Sequence, residues 1–374
     1  MVFTVKAIVI PDKFKGTMDA RTAGEAIRKG IISVMPFCSV LRLTAADGGD
    51  GTAEAYLDNV GGEKRYVTVT GPNMQRVDTY YARLNDGRAV IEMASASGLA
   101  IAEEGSTPLH TTTYGTGELI KAALDDGCRR LIIGIGGSAT NDGGVGMAAA
   151  LGGLFLDIDG KPIELTGGGL ARLNTIDLSG LDSRIKESEI LVACDVDNPL
   201  CGKQGAAEVF SRQKGADEAA VKELDKNLLM LSWVAKRCGI GDMLSLKGGG
   251  AAGGLGAGLA IFLGGKLVEG APLLLEACGF EKHAADADFI ITGEGSLDAQ
   301  SLHGKLPAAV AERAAGKKVA VIGGRVLLTQ ETAVEAGFFC VEEASPKGLT
   351  MDEIKQRCEK DLEAAAARVA RRFL

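Results

Sequence analysis

The stretch VKAIVIPDKFKGTMDARTAGEAIRKGI (residues 5–31) decides the fold class. Its beginning, Val5 to Ile10, is a short apolar run of the kind that forms a buried strand, and Pro11 ends it. Thr17 is a good N-cap, and the apolar residues that follow recur at helical spacing up to Ile31. The stretch is therefore predicted to form a strand, a loop and a helix, the unit from which parallel α/β sheets are built.

The same alternation of apolar runs and helical patterns continues along the chain. Further buried strands are predicted over residues 41–44, 89–93, 131–135, 190–194, 289–292 and 319–322. The clearest helix is predicted over residues 216–238, with Gly239 as its stop. We therefore expect an α/β fold of parallel sheets with helices on both faces, in which ligands bind at the carboxyl ends of the strands.

The opening strand and the last two predicted strands are expected to belong to one open parallel sheet, so the domain that contains them is discontinuous. The predicted domains are a Rossmann-like α/β domain over residues 1–72 plus 285–374, and an inserted glycine-rich α/β domain over residues 73–284. The active site is expected in the cleft between the two domains.

Composition argues against several classes of function. The 374 residues carry 41 basic and 49 acidic side chains, and the net charge of −8 disfavours nucleic acid as a partner. The first ten residues do not have the pattern of a signal peptide, and the glycine-rich stretch 248–265 is not a membrane span. Eight scattered cysteines without a C-x-x-C pair indicate free thiols in a reducing cytoplasm. Both a monomer and a homodimer are compatible with the sequence.

Glycine is about twice as frequent as usual, at 52 residues, and it gathers in loops after predicted strands. The first of these loops carries Asp12, Lys13 and Lys15, and lysines near a helix N-terminus favour an anion. The pattern D-G-G-x-G-x-A occurs twice, at residues 47–53 and 142–148. Each copy either caps the helix that follows or uses its carboxylate to hold a metal. The repeat favours two functional loops that face one cleft.

Two further loops favour an anionic ligand. Residues 111–118 offer hydroxyls and bare amides at a helix start, and the GIGGSA loop at residues 134–139 follows a predicted strand. The GIGGSA loop also matches G-x-G-x-x-A, with Asp157 near the position of a ribose-binding acid. More turn residues follow where a Rossmann helix should begin, so we prefer an anion-binding loop to a dinucleotide site.

Acidic side chains follow two other strands. Asp195 to Asn198 provide either a general base or a Mg²⁺ ligand, or form a plain Asx turn. Glu294 and Asp298 lie in a glycine turn after a later strand. The chain has neither a G-x-x-x-x-G-K-[ST] motif nor G-x-S-x-G, which argues against a P-loop enzyme and an α/β-hydrolase.

Several of these segments, taken in order, resemble the bacterial glycerate kinase family over nearly the whole chain. The segments include PDKFKGTM (11–18), ADGGDGTAEA (46–55), TTTYGTGELI (111–120), IIGIGGSATNDGGVGMAAALG (132–152), VACDVDNPLCG (192–202) and ITGEGSLD (291–298). Lys13 stands where the family more often has serine, and Ser296 stands where arginine is common. The resemblance implies a two-domain α/β enzyme that phosphorylates D-glycerate with ATP and Mg²⁺. It implies 2-phosphoglycerate as the product, with 3-phosphoglycerate as the alternative.

Phosphoryl transfer needs glycine loops, lysines, carboxylates for Mg²⁺ and a base, and the chain offers all four. With the resemblance, Asp195 is expected to be the general base and Lys15 to contact a phosphate or the glycerate carboxylate. Asp47 and Asp50 are the candidate metal ligands, with Asp142 as a substitute. The expected substrate- or phosphate-binding residues are Asp12, Lys13, Gly48, Gly49, Thr113, Gly115, Thr116, Gly136, Gly137, Ser138, Asn141, Asn198, Glu294 and Asp298.

Two other classes of function stay open at this point. One is an NAD-dependent hydroxy-acid oxidoreductase that uses the GIGGSA loop. The other is a non-catalytic regulator that binds a sugar acid. Thermal shifts with MgATP, NAD⁺ or an organic acid alone would distinguish the three, because a ligand that binds only the folded state stabilises it.

Overall fold

The structure is a computed structural model that describes residues 5–46, 48–302 and 305–374. Its strands are β1 (Lys6–Pro11), β2 (Ser39–Arg42), β3 (Gly62–Thr70), β4 (Arg76–Leu84), β5 (Arg88–Glu92), β6 (Arg130–Gly134), β7 (Leu154–Leu156), β8 (Thr175–Asp177), β9 (Glu189–Ala193), β10 (Lys266–Val268), β11 (Phe289–Leu297), β12 (Lys318–Val326) and β13 (Cys340–Glu343). Its α-helices are α1 (Ala20–Val34), α2 (Thr52–Val60), α3 (Ala94–Ser97), α4 (Tyr114–Asp125), α5 (Val145–Ala150), α6 (Ala206–Phe210), α7 (Glu218–Arg237), α8 (Leu255–Leu263), α9 (Gly270–Ala277), α10 (Phe280–Asp286), α11 (Leu306–Glu312), α12 (Gln330–Glu335) and α13 (Met351–Arg371). Each strand predicted from an apolar run overlaps an observed strand, and α7 confirms the helix predicted over residues 216–238.

The described residues form two compact units. Unit 1 consists of those within residues 1–47, 58–60 and 271–374, and unit 2 of those within 48–57 and 61–270. These bounds differ from the predicted domain ends at residues 72 and 285. Strand β3, expected in the first domain, pairs along its whole length with β4 of unit 2.

Unit 1 is built on a five-stranded sheet of order β13-β12-β11-β1-β2, in which every neighbouring pair is parallel. Strand β1 pairs with β11, so that Ala7 lies opposite Phe289 although 282 residues separate them. The prediction that the first and last strands share one sheet is therefore confirmed. Helices α1 and α13 pack on each other, and apolar side chains from both join the core of the sheet.

Helix α1 begins later than the sequence suggested. Asp19 is its N-cap and accepts a hydrogen bond from the Thr22 backbone N–H, whereas the Thr17 hydroxyl donates to the Phe14 carbonyl in the preceding turn. The prediction of Thr17 as the cap is wrong, because a tight turn at residues 14–18 uses that hydroxyl first. Gly30 allows α1 and α13 to approach closely.

Unit 2 contains a six-stranded mixed sheet of order β10-β9-β6-β5-β4-β3. Strands β5, β6, β9 and β10 run parallel, whereas β3, β4 and β5 form an antiparallel meander at one edge of the sheet. Strands β3 and β4 were not predicted, because polar residues interrupt both and neither shows a continuous apolar run. The short strands β7 and β8 form a separate antiparallel pair.

The core of unit 2 contains a large apolar cluster to which β5, β6, β9 and helices α4, α7 and α8 contribute, and a smaller cluster lies between α6 and α7. This cluster covers the sheet and leaves the loops that follow the parallel strands at one edge. Among the described residues, none of the helices combines the length and the apolar character that crossing a membrane requires.

Candidate active site

Three neighbouring parallel strands of unit 2 end side by side. In the sheet register, Glu92 at the end of β5 lies opposite Gly134 of β6, and Gly134 lies opposite Ala193 of β9. The loops that follow these three residues therefore start in one row. Ligands of open α/β sheets bind at this edge, so the row is the natural place for a site in unit 2.

The glycine loop at residues 48–51 lies across this row. The Gly136 N–H donates to the Gly48 carbonyl at 3.1 Å. A methyl group on Gly134 would lie 2.6 Å from the Gly48 oxygen, and a methyl group on Gly136 would lie 2.7 Å from the Gly49 Cα. These residues are glycine because two backbone segments touch. We expected Gly48, Gly49 and Gly136 to bind phosphate. The structure shows that they allow close packing of two backbone segments.

The next two residues of the GIGGSA loop form its outer turn. Gly137 is exposed and has a left-handed φ of +75°, which favours glycine. A methyl group at Gly137 would lie 3.0 Å from Asp50 Oδ1, so this exposed carboxylate lies against the turn. Ser138 follows and is 8% exposed. The turn therefore presents backbone and a carboxylate, and Ser138 is the first buried residue after it.

Glu92 is a second carboxylate at this edge, and the sequence analysis missed it. Burial raises its pKa, hydrogen bonds from the Ala53 and Gly51 backbone N–H groups lower it in part, and the charge of Asp50 raises it further. Glu92 thereby anchors the start of α2 and adds negative charge beside Asp50. The available signal was an acidic residue at the end of a predicted buried strand.

A buried lysine lies behind the turn, and sequence reasoning also missed it. Lys214 is 4% exposed, and its Nζ donates to Ser138 Oγ and to the Thr140 carbonyl, both at 2.7 Å. Burial lowers its pKa to about 7, and the nearby charge of Asp142 opposes this shift. No sequence feature indicates the burial, because Lys214 ends a short 3₁₀ turn between polar residues.

The second D-G-G-x-G-x-A copy differs from the first. Residues 141–148 are all buried, and Asp142 accepts hydrogen bonds from the Thr113 N–H and hydroxyl and from the Gly144 and Gly146 N–H groups. Burial raises the pKa of Asp142, and these hydrogen bonds lower it in part. Its oxygens serve the protein's own donors, so we no longer place Asp142 among the metal ligands, nor Thr113 among the substrate-binding residues.

Three further predicted binding residues are buried within unit 2. A methyl group on Gly115 would lie 1.9 Å from the Thr70 oxygen, and Thr116 Oγ1 shares a hydrogen bond with the Ser97 hydroxyl. Asn141 Oδ1 accepts from a buried serine hydroxyl, and its Nδ2 is buried without a partner among the described residues. The structure thus places these residues in the packing of unit 2 and not at an exposed ligand surface.

The loop after β9 is exposed, as expected for a catalytic loop. Asp195 Oδ1 accepts a hydrogen bond from the Gly270 N–H at 2.8 Å, which orients the carboxylate at the carboxyl end of β9. Asn198 holds the same loop by donating from Nδ2 to the Gln204 carbonyl.

Asp157 does not have the environment of a ribose-binding acid. It accepts hydrogen bonds from the Asp159 and Lys161 N–H groups and pairs with Arg172, which together hold the turn after β7. Helix α5 starts at Val145, well beyond the GIGGSA loop. Both findings agree with the preference for an anion-binding loop over a dinucleotide fingerprint.

Unit 1 presents its own loops at the carboxyl ends of β1 and β11. The Asp12 N–H donates to the Gly293 carbonyl, and Asp12 Oδ1 accepts from the Lys13 N–H at 2.7 Å. A methyl group on Gly295 would lie 3.0 Å from the Lys15 backbone nitrogen, so the loop that contains Lys15 packs directly against β11. The side chain of Lys15 is exposed.

Glu294 is the buried carboxylate of this part of unit 1. It is 8% exposed; burial raises its pKa, and a hydrogen bond from the Ser301 hydroxyl lowers it in part. Its Oε1 has no hydrogen-bond partner among the described residues. Asp298 turns the chain beside it, with its N–H donating to Ser301 Oγ.

Of the three predicted metal ligands, Asp47 lies outside the described residues, Asp142 is buried, and Asp50 is exposed. Within residues 5–46, 48–302 and 305–374, no three or more His, Cys, Asp or Glu side chains are grouped to hold a metal ion.

Comparison with known proteins gives consistent matches along the chain. The model of the glycerate kinase family matches residues 7–374. A glycerate kinase of Halalkalibacterium halodurans is 44% identical over 367 residues, with 97% of each chain covered. A glycerate 2-kinase of Escherichia coli K12 is 45% identical over 332 residues, covering 88% of this chain and 87% of the relative. A crystal structure from Salmonella typhimurium LT2, which carries the provisional name glycerate kinase 2, superposes with a TM-score of 0.87 at 41% identity, covering 99% and 98% of the two chains.

The α/β fold, the loops at the strand ends and these matches define the class of the protein. It is a phosphotransferase of the kinase class, and such enzymes take a small-molecule substrate and a nucleotide phosphoryl donor. The chain belongs to the glycerate kinase family.

Proposed function

We propose that this enzyme phosphorylates D-glycerate with ATP and Mg²⁺ and releases 2-phosphoglycerate and ADP. The observation that carries the proposal is the 45% identity to a relative named glycerate 2-kinase. Phosphorylation of the 3-hydroxyl to give 3-phosphoglycerate is the alternative, because the two hydroxyls of glycerate are on adjacent carbons.

The donor set at the strand ends of unit 2 fits Mg²⁺ bound with a nucleotide. Mg²⁺ in kinases is held by one or two carboxylates together with substrate phosphates, and it does not need a cage of protein ligands. Asp50 places an exposed carboxylate beside the turn at Gly137, and its charge acts on Glu92 at the end of β5. When bound, Mg²⁺ neutralises phosphate charge while ATP supplies the phosphoryl group.

The chain's own residues provide binding and proton transfer. Asp195, held by the Gly270 N–H, is the proposed base that takes the proton from the attacking hydroxyl. Ser138 and Gly137 are the proposed anion contacts of unit 2, with Asn198 supporting the Asp195 loop.

Unit 1 has its own group of polar side chains at the carboxyl ends of β1 and β11. Exposed Lys15, with Lys13 and Asp12 in its loop, is proposed to contact a phosphate or a carboxylate. Glu294 Oε1 is buried and has no hydrogen-bond partner within the described part of the chain, which suits a ligand hydroxyl, and Asp298 supports its turn.

Phosphorus NMR of the protein with D-glycerate, ATP and Mg²⁺ tests the reaction. A new phosphomonoester signal that grows with ADP supports the kinase. Proton coupling identifies the acceptor, since a 2-phosphate has one proton on the ester carbon and a 3-phosphate has two. Intact ATP with folded protein would contradict the proposed activity on glycerate.

The role of Asp195 is tested separately. Asp195→Asn should lower kcat by about 10²–10⁴-fold with little change in the melting temperature. Asp159→Asn, which changes an exposed carboxylate in the turn after β7, is the matched control. An unchanged kcat in Asp195→Asn would remove this residue from the role of the base.

A further inference from the structure

The contact between Lys214 and Ser138 lies directly behind the exposed turn of the GIGGSA loop. In its protonated form Lys214 can only donate, and its 2.7 Å hydrogen bond then occupies a lone pair of Ser138 Oγ. A hydroxyl that accepts in this way keeps one proton to donate. Among the described residues, no group accepts that proton.

The backbone around Ser138 is fixed on both sides. The Ala139 N–H donates to the Ser97 carbonyl at 3.0 Å, and the Leu99 N–H donates to the Gly137 carbonyl at 2.9 Å. Lys214 is fixed in turn by its second hydrogen bond, to the Thr140 carbonyl. The hydroxyl is thus held by rigid neighbours, as preorganised binding groups are.

Lys214 supplies the positive charge that favours an anion at this contact. Asp142 is the acidic residue whose charge acts on Lys214, and its carboxylate already accepts four hydrogen bonds from protein donors. An anionic oxygen at Ser138 would accept a hydrogen bond from the hydroxyl. Only the serine oxygen would then separate it from the Lys214 ammonium. A neutral hydroxyl at that place would receive much less stabilisation.

We propose that Lys214 is a positioning residue that holds the Ser138 hydroxyl as a donor to an anionic substrate oxygen, from either a carboxylate or a phosphate. The identity of the two substrates, D-glycerate and ATP, rests on the proposed function. Lys214 is buried and acts on the ligand only through Ser138.

The test measures binding and turnover in Ser138→Ala, Lys214→Met and the double variant. Isothermal titration with D-glycerate alone and with ADP alone identifies which anion uses Ser138. We expect Ser138→Ala to weaken binding of one of them by about 10-fold, as for loss of a hydrogen bond to a charged group. Lys214→Met should weaken binding of the same ligand, and the double variant should bind that ligand no more weakly than Ser138→Ala does.

Two controls separate positioning from folding. Lys226→Met changes an exposed lysine on α7 and should leave both affinities unchanged. Lys214→Gln keeps a donor at the position and should lose less affinity than Lys214→Met. If neither Lys214 variant folds, Lys214 is a residue of the fold alone and the proposal is overturned. Additive losses in the double variant, or unchanged affinity in Ser138→Ala, also overturn it.

Failure of the proposed function is distinguishable from failure of this inference. Titration with inorganic phosphate needs no turnover, so it reports on Ser138 even if D-glycerate is not the substrate. Weaker phosphate binding in Ser138→Ala than in the wild type would support the proposal under either outcome of the NMR experiment. If Ser138→Ala binds phosphate, D-glycerate and ADP as tightly as the wild type does, the proposal is overturned.

Discussion

The buried ammonium of Lys214 should give the protein a specific dependence of stability on pH. Burial lowers its pKa from the ordinary value of 10.5 to about 7 in the folded chain. Between these two values the unfolded chain holds a proton on Lys214 that the folded chain lacks. The free energy of unfolding must then rise with pH, because the state that binds more protons is disfavoured as protons become scarce.

The size of the effect follows from the same two values. Each pH unit within this interval is worth about 1.4 kcal/mol for one proton. Between pH 6 and pH 9 the wild type should gain about 2–3 kcal/mol from Lys214, allowing for the partial titration at pH 6. Lys214→Met has no such proton, so the stability difference, wild type minus variant, should increase by this amount over the interval.

The assay is urea unfolding at pH 6, 7, 8 and 9 for the wild type, Lys214→Met and the control Lys226→Met. The single tryptophan, Trp233 on α7, reports on unit 2, which also contains Lys214, and so avoids averaging over both units. Taking the difference between the two proteins cancels the titration of the groups that do not interact with Lys214. A difference that stays constant with pH, or that falls as pH rises, would refute the reasoning.

Three other outcomes are expected. Asp142→Asn should lower the free energy of unfolding by about 2–3 kcal/mol, because an amide nitrogen cannot accept the hydrogen bonds that the carboxylate accepts. Urea titrations followed at Trp233 measure this change, and an unchanged midpoint would contradict the expectation. Gly30→Ala should lower the free energy of unfolding of unit 1 by about 1–3 kcal/mol, because the added methyl group would collide with the Glu363 backbone oxygen of α13. An unchanged melting temperature in calorimetry would contradict the close packing of α1 on α13. Chelation with EDTA should abolish turnover and added MgCl₂ should restore it, and turnover that persists in EDTA would speak against Mg²⁺.

The positions of the buried strands could be predicted from the sequence. A strand covered on both faces needs a continuous apolar run, and β1, β6, β9 and β12 each contain one. Strands β3 and β4 could not be found in this way, because polar residues interrupt both and neither contains a continuous apolar run. Their pairing moved the boundary between the two units away from residue 72.

For the site, the sequence indicated the loops better than the individual residues. The loops after β1, β6, β9 and β11 were all identified, because glycine and polar residues gather where parallel strands end. Within the loops, burial separated the residues: Gly137 is exposed and Ser138 lies at the turn, whereas Thr113 and Thr116 are inside unit 2. Local sequence is nearly the same in both cases, since a helix start and a ligand site both prefer hydroxyls and glycine.

The sequence by itself determined the α/β class, the buried strands and the resemblance to glycerate kinases, because apolar runs and ordered motifs are local properties of the chain. Only the tertiary structure decided which polar groups are buried. The two D-G-G-x-G-x-A copies have the same pattern, yet one crosses the ends of β6 and β9 while Gly143 of the other packs against Leu231, which is distant in sequence. Burial depends on such distant partners, and it is burial that gives Asp142 a structural role and lowers the pKa of Lys214.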